Sequence, residues 1–232
     1  FSANVSHELK TPLTTIKGFG ELLENGIFTK EEDVKKYGGM IYRESERLLY
    51  LINDIIRLSQ IEEQEHVLSD KIDLLKTAHD VEEILRHKAD NREVTMTVEG
   101  EPVRIYGNQS YITELFLNLM DNAIKYNREG GSLKVTVGAE DGKAVAVFSD
   151  TGIGISDEHQ SRIFERFYRV DKSRSKQTGG TGLGLSIVKH IVAYHSGEIQ
   201  LESELEKGTT ITVKLPFNEP ETQRAEETAV TE

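Results

Sequence analysis

Cysteine and tryptophan are missing from this sequence, and proline occurs only four times in 232 residues. Without cysteine there is neither a disulfide framework nor a thiolate metal site, a composition compatible with a reducing cytoplasm. No apolar run reaches the roughly 18 residues that a membrane-spanning helix needs, and no secretory signal pattern is present. Basic charge is scarce as well. Against 40 Asp and Glu stand 28 Lys and Arg, a net charge of −12. Such a surface repels a polyphosphate backbone and excludes non-specific nucleic-acid binding. Any nucleotide must then be held by local backbone donors and a metal. The P-loop pattern G-x-x-x-x-G-K-[ST], a complete G-x-G-x-x-G unit and the H-R-D and D-F-G signatures of protein kinases are all absent. What remains, 37% hydrophobic and 29% charged residues, suffices for one or two soluble domains with real cores.

The chain opens on Ser6-His7-Glu8-Leu9-Lys10-Thr11-Pro12, inside a stripe of Phe1, Val5, Leu9, Leu13 and Ile16 at helical spacing. His7 lies opposite the centre of that stripe and should face solvent. Glu8 can accept a hydrogen bond from one ring nitrogen, leaving the other a free lone pair. Thr11, four residues on, shares the face of His7, and Pro12 should kink the helix. The helical pattern is already under way at Phe1 with no cap ahead of it, which implies sequence upstream.

The first helix should stop at Asn25-Gly26, and Thr29 with Glu31, Glu32 and Asp33 should start the second. There Val34, Ile41, Leu48 and Ile55 recur every seven residues, with Tyr37, Leu51 and Leu58 between them, a coiled-coil-like seam. Two helices with such a seam predict an antiparallel hairpin that dimerises into a four-helix bundle. Gly18, Gly20, Gly38 and Gly39 interrupt it, as bending points or as sites of close helix contact. The end of the hairpin and a linker follow over 61–70. Beyond it the pattern predicts helices over 72–90, 111–126, 158–164 and 183–195. Strands are expected around Val94–Val98, Val103–Tyr106, Leu133–Val137, Ala144–Phe148, Glu198–Ser203 and Thr209–Leu215, with turns at Asp141-Gly142 and Lys207-Gly208. This is an α+β layer domain with a largely antiparallel sheet. The acidic tail, 218–232, should be disordered.

Three constellations in the second domain carry chemistry. Asn118 and Asn122 are four apart on one helix, so two hard, neutral amide oxygens share a face suited to Mg²⁺, and Lys125 can reach a phosphate. Asp150-Thr151-Gly152-Ile153-Gly154-Ile155 follows a strand. Its glycines permit close backbone approach, and its aspartate can accept from an exocyclic amine. Gly179-Gly180-Thr181-Gly182-Leu183-Gly184 opens a helix whose N–H groups make a phosphate cradle. His66, His79, His87, His159, His190 and His195 share no metal-ligand spacing.

Together these stretches resemble the sensor histidine kinases of two-component signalling. Ser6 to Pro12 looks like the family's phosphoacceptor box, Asn118–Asn127 its N box, and Asp150–Ile155 its first glycine box. Ile163–Arg169 is similar to the F box and Gly180–Ile187 to the second glycine box, all in order over residues 1–217. The resemblance implies a dimerisation and histidine-phosphotransfer hairpin over 1–66 and an α/β-sandwich ATP-binding domain over 67–217, of the type shared with gyrase, the MutL repair proteins and a heat-shock chaperone. It implies that Asp150 meets the adenine amine, Tyr126 packs on the base, Asn118 and Asn122 hold Mg²⁺, and Lys125 and Arg169 meet the phosphates. Gly152, Gly154, Ile155, Gly180, Thr181, Gly182, Leu183, Gly184 and Leu185 would complete the nucleotide site, with a lid over about 167–181. It further implies ATP-dependent phosphorylation of His7 assisted by Glu8, transfer to the receiver domain of a response regulator, and a phosphatase role for Thr11. A homodimer is implied, in the cytoplasmic portion of a sensor anchored in a bacterial membrane through upstream segments.

Asn108, Thr151 and Gly38-Gly39 depart from the family's usual pattern. An ATP-hydrolysing machine on the same fold needs a glutamate base where Asn118 stands, and an amide cannot take that proton. A non-catalytic scaffold would be expected to have lost the ATP boxes that this chain keeps.

Overall fold

The computed structural model describes residues 2–28, 30–63, 68–170 and 180–217. Phe1 of the expected stripe, the Thr29 cap, linker residues 64–67, lid residues 171–179 with Gly179, and the tail lie outside the described residues. The chain divides into two compact units, Phe1–Gln60 with Arg166–Leu183, and Ile61–Glu165 with Gly184–Glu232.

In the first unit α1 (Ser2–Glu24) and α2 (Glu31–Glu63) form the hairpin. Helix α1 ends in a Schellman turn: Gly26 adopts φ +65°, its N–H donates to Leu23 O, and Ile27 N–H donates to Leu22 O. Helix α2 begins with Glu31, Glu32 and Asp33 at its positive end. Phe28 stacks on Tyr37 at 4.0 Å between ring centroids and Phe19 packs on the same ring at 5.0 Å, which fastens the turn end of the hairpin. Of the seam, Leu51 and Leu58 are buried and Val34 is exposed. The stripe on α1 departs from expectation: Leu13 is 56% exposed, and the residue buried beside it is Pro12. A two-helix hairpin covers only one side of each helix, so apolar positions aimed at the opposite side stay in water. A Cβ built on Gly18, Gly20 or Gly38 would meet nothing within 4 Å, so close packing among the described residues does not account for these glycines.

The second unit is a layer of helices on a five-stranded mixed sheet. Its strands are β2 (Thr95–Gly100), β4 (Ser132–Glu140), β5 (Lys143–Asp150), β6 (Glu198–Glu204) and β7 (Gly208–Pro216), in the order β2-β4-β5-β7-β6. Only β2–β4 is parallel; the other pairings are antiparallel. Helix α3 (Leu74–Asp90) packs on β2, α4 (Gln109–Lys125) on β4 and β5, and α6 (Gly184–Tyr194) on β6. Leu133, Val135 and Val137 alternate into the core, where Phe148 meets Phe116 of α4 edge-on at 5.0 Å. Each such side chain contributes about 1.5–3 kcal/mol on burial. The β4–β5 turn puts Asp141 at φ +50° and Gly142 at +73°, as the Asp-Gly signal predicts for a type I′ hairpin.

Two assignments need correction. The helix expected from Ile72 begins at Leu74, because Asp73 is its N-cap and accepts from Lys76 N–H at 3.1 Å. Residues Asp70–Asp73 instead form β1, which pairs antiparallel with β3 (Arg104–Gly107) in a separate two-stranded sheet. The helix expected over 158–164 is a single turn, α5 (Asp157–Gln160), followed by turns.

The entrance to α4 is fixed several times over. Asn108 Oδ1 accepts from Tyr111 N–H at 3.1 Å, Asp70 Oδ2 accepts from Gln109 N–H at 3.0 Å, and Asn108 N–H donates to Nε2 of the fully buried His195 at 3.1 Å. Asparagine at position 108 therefore caps α4 through its side-chain oxygen.

Candidate functional site

Within the first unit, the His7 side chain is 81% exposed on α1. Its Nδ1 lies 3.9 Å from Glu8 Oε1, an ionic approach longer than a hydrogen bond. The other Glu8 oxygen is 3.9 Å from the Arg47 guanidinium of α2, which also meets Glu44 at 3.5 Å and is 12% exposed. Arg47 thus holds the acid beside the histidine. Nothing local to Arg47 signals this role, because the register between two helices is not legible from either one. Thr11 Oγ1 donates to the His7 carbonyl at 3.2 Å, and Thr14 and Thr15 make the same backward bond to Lys10 and Thr11. These hydroxyls line the turn where Pro12, inside α1, removes the donor to Glu8.

The same unit holds both ends of the segment expected to form a lid. Phe167 N–H donates to Gly182 O at 2.9 Å, and the Arg169 guanidinium donates to Gly180 O. Thr181 Oγ1 donates to Asp54 Oδ2 at 2.6 Å and accepts from Leu183 N–H at 3.3 Å. Leu183 is fully buried, so its side chain serves packing and only its backbone could face a ligand.

In the second unit, α4 carries Asn118 and Asn122. Asn118 Nδ2 is spent on Glu114 O at 3.0 Å, which leaves Oδ1 as the open end of the amide; Asn122 makes no side-chain hydrogen bond among the described residues. Gly184 opens α6 directly over this face: a Cβ there would lie 2.7 Å from Asn118 Oδ1. The glycine thus lets the first turn of α6 approach α4. Two amide side chains one turn apart on this helix carry the neutral oxygens that a hard divalent cation takes alongside phosphate oxygens. Lys125 Nζ lies 5.3 Å from the ring centroid of Tyr126, itself 36% exposed, and Leu185 is half-buried in the first turn of α6.

Asp150 ends β5. Its Oδ1 accepts from Gly152 N–H at 2.8 Å and Thr209 N–H at 3.3 Å, while Oδ2 has no protein partner among the described residues. Burial pushes its carboxyl above the ordinary value, against the downward pull of those two N–H groups. Around it Ile153 N–H donates to Tyr126 O at 3.1 Å, and Thr151 and Ser132 exchange bonds of 3.1 and 2.8 Å. Threonine at 151 thereby ties the loop to the start of β4. Gly154 adopts φ +67°, and a Cβ there would fall 1.9 Å from Glu204 O. Only glycine fits. The arrangement is a carboxylate with one oxygen fixed by two backbone N–H groups and the other without a protein partner among the described residues.

A hairpin bearing a solvent-facing histidine and an α/β sandwich bearing a pre-set carboxylate define a two-domain phosphotransfer class. The comparisons agree. The model of histidine kinase-, DNA gyrase B- and HSP90-like ATPases matches residues 107–219, and that of the His Kinase A phospho-acceptor domain matches 1–64. Sensor protein SrrB of Staphylococcus aureus is 34% identical over 93% of this chain, which spans 37% of the length of that relative. A mycobacterial sensor histidine kinase, MprB, is 30% identical with a TM-score of 0.55, covering 64% of this chain and 97% of that one. Histidine kinase ThkA in complex with response regulator protein TrrA is 27% identical with a TM-score of 0.74, covering 95% of this chain and 61% of that one. This chain belongs to the sensor histidine kinase family.

Proposed function

We propose that the chain is the ATP-dependent phosphotransfer core of a two-component sensor, with residues 1–66 as the phosphoaccepting hairpin and 67–217 as the nucleotide-binding domain. The observation that carries this reading is the imidazole of His7, 81% exposed, with Nδ1 turned toward a carboxylate 3.9 Å away. With the ring proton on Nδ1, the side facing Glu8, the Nε2 lone pair is the nucleophile. A bond forms between Nε2 and the γ-phosphorus as the bond to the β–γ bridging oxygen breaks, and ADP leaves with the electron pair.

Asp150 accepts the adenine amine through Oδ2, and Tyr126 covers the base. Lys125 and Arg169 neutralise phosphate charge, with the backbone of Gly180–Leu185 as the cradle. Asn118 and Asn122 would hold Mg²⁺, which would offset charge on the phosphate oxygens. Positioning and charge neutralisation supply most of the rate. The phosphoryl group passes on to an aspartate of a response regulator, in keeping with the kinase–regulator complex of ThkA and TrrA. Thr11 would orient water for the reverse removal of phosphate from that regulator.

Exposed Leu13, Val34, Leu49, Ile52 and Ile56 support a homodimer, since a second hairpin would cover them. No described helix is long and apolar enough to cross a membrane. The test is incubation with γ-labelled Mg-ATP. Wild type should take up acid-labile phosphate and His7→Gln none, with nucleotide affinity unchanged; acid-labile label on His7→Gln would overturn the reading.

A further inference from the structure

The loop that carries Asp150 is fastened on its far side by two residues outside every family box. Ser203 of β6 is half-buried, and its Oγ accepts from Ile155 N–H at 2.8 Å. The same hydroxyl has Gly208 O and Thr209 Oγ1 as partners, each at 2.9 Å. Gln160, in the single turn of α5, donates through Nε2 to Ile155 O at 2.9 Å, to Ser203 O at 2.8 Å and to Asp157 Oδ1 at 3.2 Å. Ile155 therefore has its N–H bonded to one of these residues and its C=O to the other. Glu206 N–H, in the β6–β7 turn, adds a bond to Ile153 O at 2.8 Å.

The geometry matters because the β6–β7 hairpin reaches Asp150 twice. It holds the loop through Ser203, and it holds the carboxylate itself through Thr209 N–H. Ser203 and Thr209 face each other across the two strands. A displacement of the loop at Ile155 thus shifts the hairpin that bonds Asp150 Oδ1, and with it the direction in which Oδ2 points. The Ser203 hydroxyl proton goes to Gly208 O, and the two protons of Gln160 Nε2 have Ile155 O and Ser203 O as their shortest acceptors.

We propose that Ser203 and Gln160 are positioning residues that set the base selectivity of the nucleotide site. By clamping Ile155 to the β6–β7 hairpin they keep Asp150 Oδ2 aimed at an exocyclic amine, so the site distinguishes adenine from a purine bearing a carbonyl at that position. A site built to hydrogen-bond an amine rejects the analogue lacking it only while its own acceptor is held still. The inference rests on the reading of Asp150 as the adenine acceptor.

The readout is the ratio of affinities for ATP and inosine triphosphate, which carries a carbonyl where adenine carries its amine, measured on the whole chain by equilibrium titration. Ser203→Ala and Gln160→Ala should each lower that ratio about five- to tenfold, with inosine triphosphate affinity held within about twofold. Ser203→Thr, which keeps the hydroxyl, should retain the wild-type ratio. General loosening of the fold would weaken both nucleotides together and leave the ratio in place, so an unchanged ratio in the alanine variants overturns the inference. Should Ser203→Ala not fold, Gln160→Ala decides alone. Asp150→Asn, run alongside, separates the two levels. If it collapses the ratio while the clamp variants do not, only the clamp fails; if it too leaves the ratio intact, the reading of Asp150 fails and the clamp with it.

Discussion

His7 and Asp150 are the two side chains on which the proposed chemistry turns, and the molecule treats them in opposite ways. His7 stands in solvent, its nearest charged neighbour 3.9 Å away and itself balanced against Arg47. Asp150 is half-buried, with one oxygen bonded to two backbone N–H groups in a loop pinned to α4, β4 and the β6–β7 hairpin. A group that must meet first a nucleotide and then a separate protein gains from exposure and freedom. A group that must tell one base from another gains from being unable to move. The cost of the second arrangement is desolvation, visible in the raised pKa of Asp150.

The contrast can be broken most strongly at Asp150. Asp150→Asn, with a neutral amide in place of the acceptor, should weaken ATP binding about 10- to 100-fold in a calorimetric titration, the range for a hydrogen bond to a charged group. The free chain should become no less stable to denaturant at neutral pH. A carboxyl whose folded pKa lies above its unfolded one stabilises the fold below the unfolded value, and that contribution is lost as pH rises through the folded value. At neutral pH the charge is already a burden, and the amide removes it. A destabilised variant would contradict the assignment of burial as the dominant cause.

Next in size is Gly154→Ala. A Cβ 1.9 Å from Glu204 O at φ +67° should cost about 2 kcal/mol or more in denaturant unfolding. An equivalent change on the hairpin side, Gly18→Ala, should do the reverse. Its Cβ meets nothing, so alanine should stabilise the helix by up to about 1 kcal/mol, read as a raised melting temperature. A gain at Gly154 or a loss at Gly18 would invert the contrast between the rigid pocket and the loosely specified hairpin.

The pH dependence is gentler. ATP affinity should fall as pH drops through the raised pKa of Asp150, over a window shifted upward from that of an ordinary aspartate, because the protonated acid gives up its acceptor. Titrations on Asp150→Asn should be flat over the same window. A slope of equal size in that variant would place the titrating group elsewhere.

What could be read from the residues follows the range over which each signal acts. The Asp141-Gly142 turn, the Asn25-Gly26 stop and the buried face of α4 are local patterns, and each appears where the pattern put it. Strand β1 was missed because its four residues include a single apolar one, Ile72, and its partner lies more than thirty positions away in β3. Asp73 held the clue as a helix cap, overlooked inside an apparently continuous apolar period. In the site, the residue types with special chemistry were legible: the asparagine pair, the aspartate and the glycines. Those that hold them were not. Arg47, Ser203, Gln160 and Thr209 are ordinary residues at ordinary spacings, and only the packing of helix on helix and strand on strand brings them to Glu8, Ile155 and Asp150. The stripe on α1 misled for a related reason. Helical spacing shows that Leu13 shares a face with Leu9 and Ile16, but not whether one chain is enough to cover that face.

The most direct measurement is to locate the phosphate. The whole chain, incubated with γ-labelled Mg-ATP and digested under mildly alkaline conditions that preserve phosphohistidine, should yield one labelled peptide containing His7, labelled more slowly when Asp150→Asn is used at a nucleotide concentration that just saturates the wild type. Label on another residue, or saturating nucleotide binding with His7 left unmodified, would contradict the account.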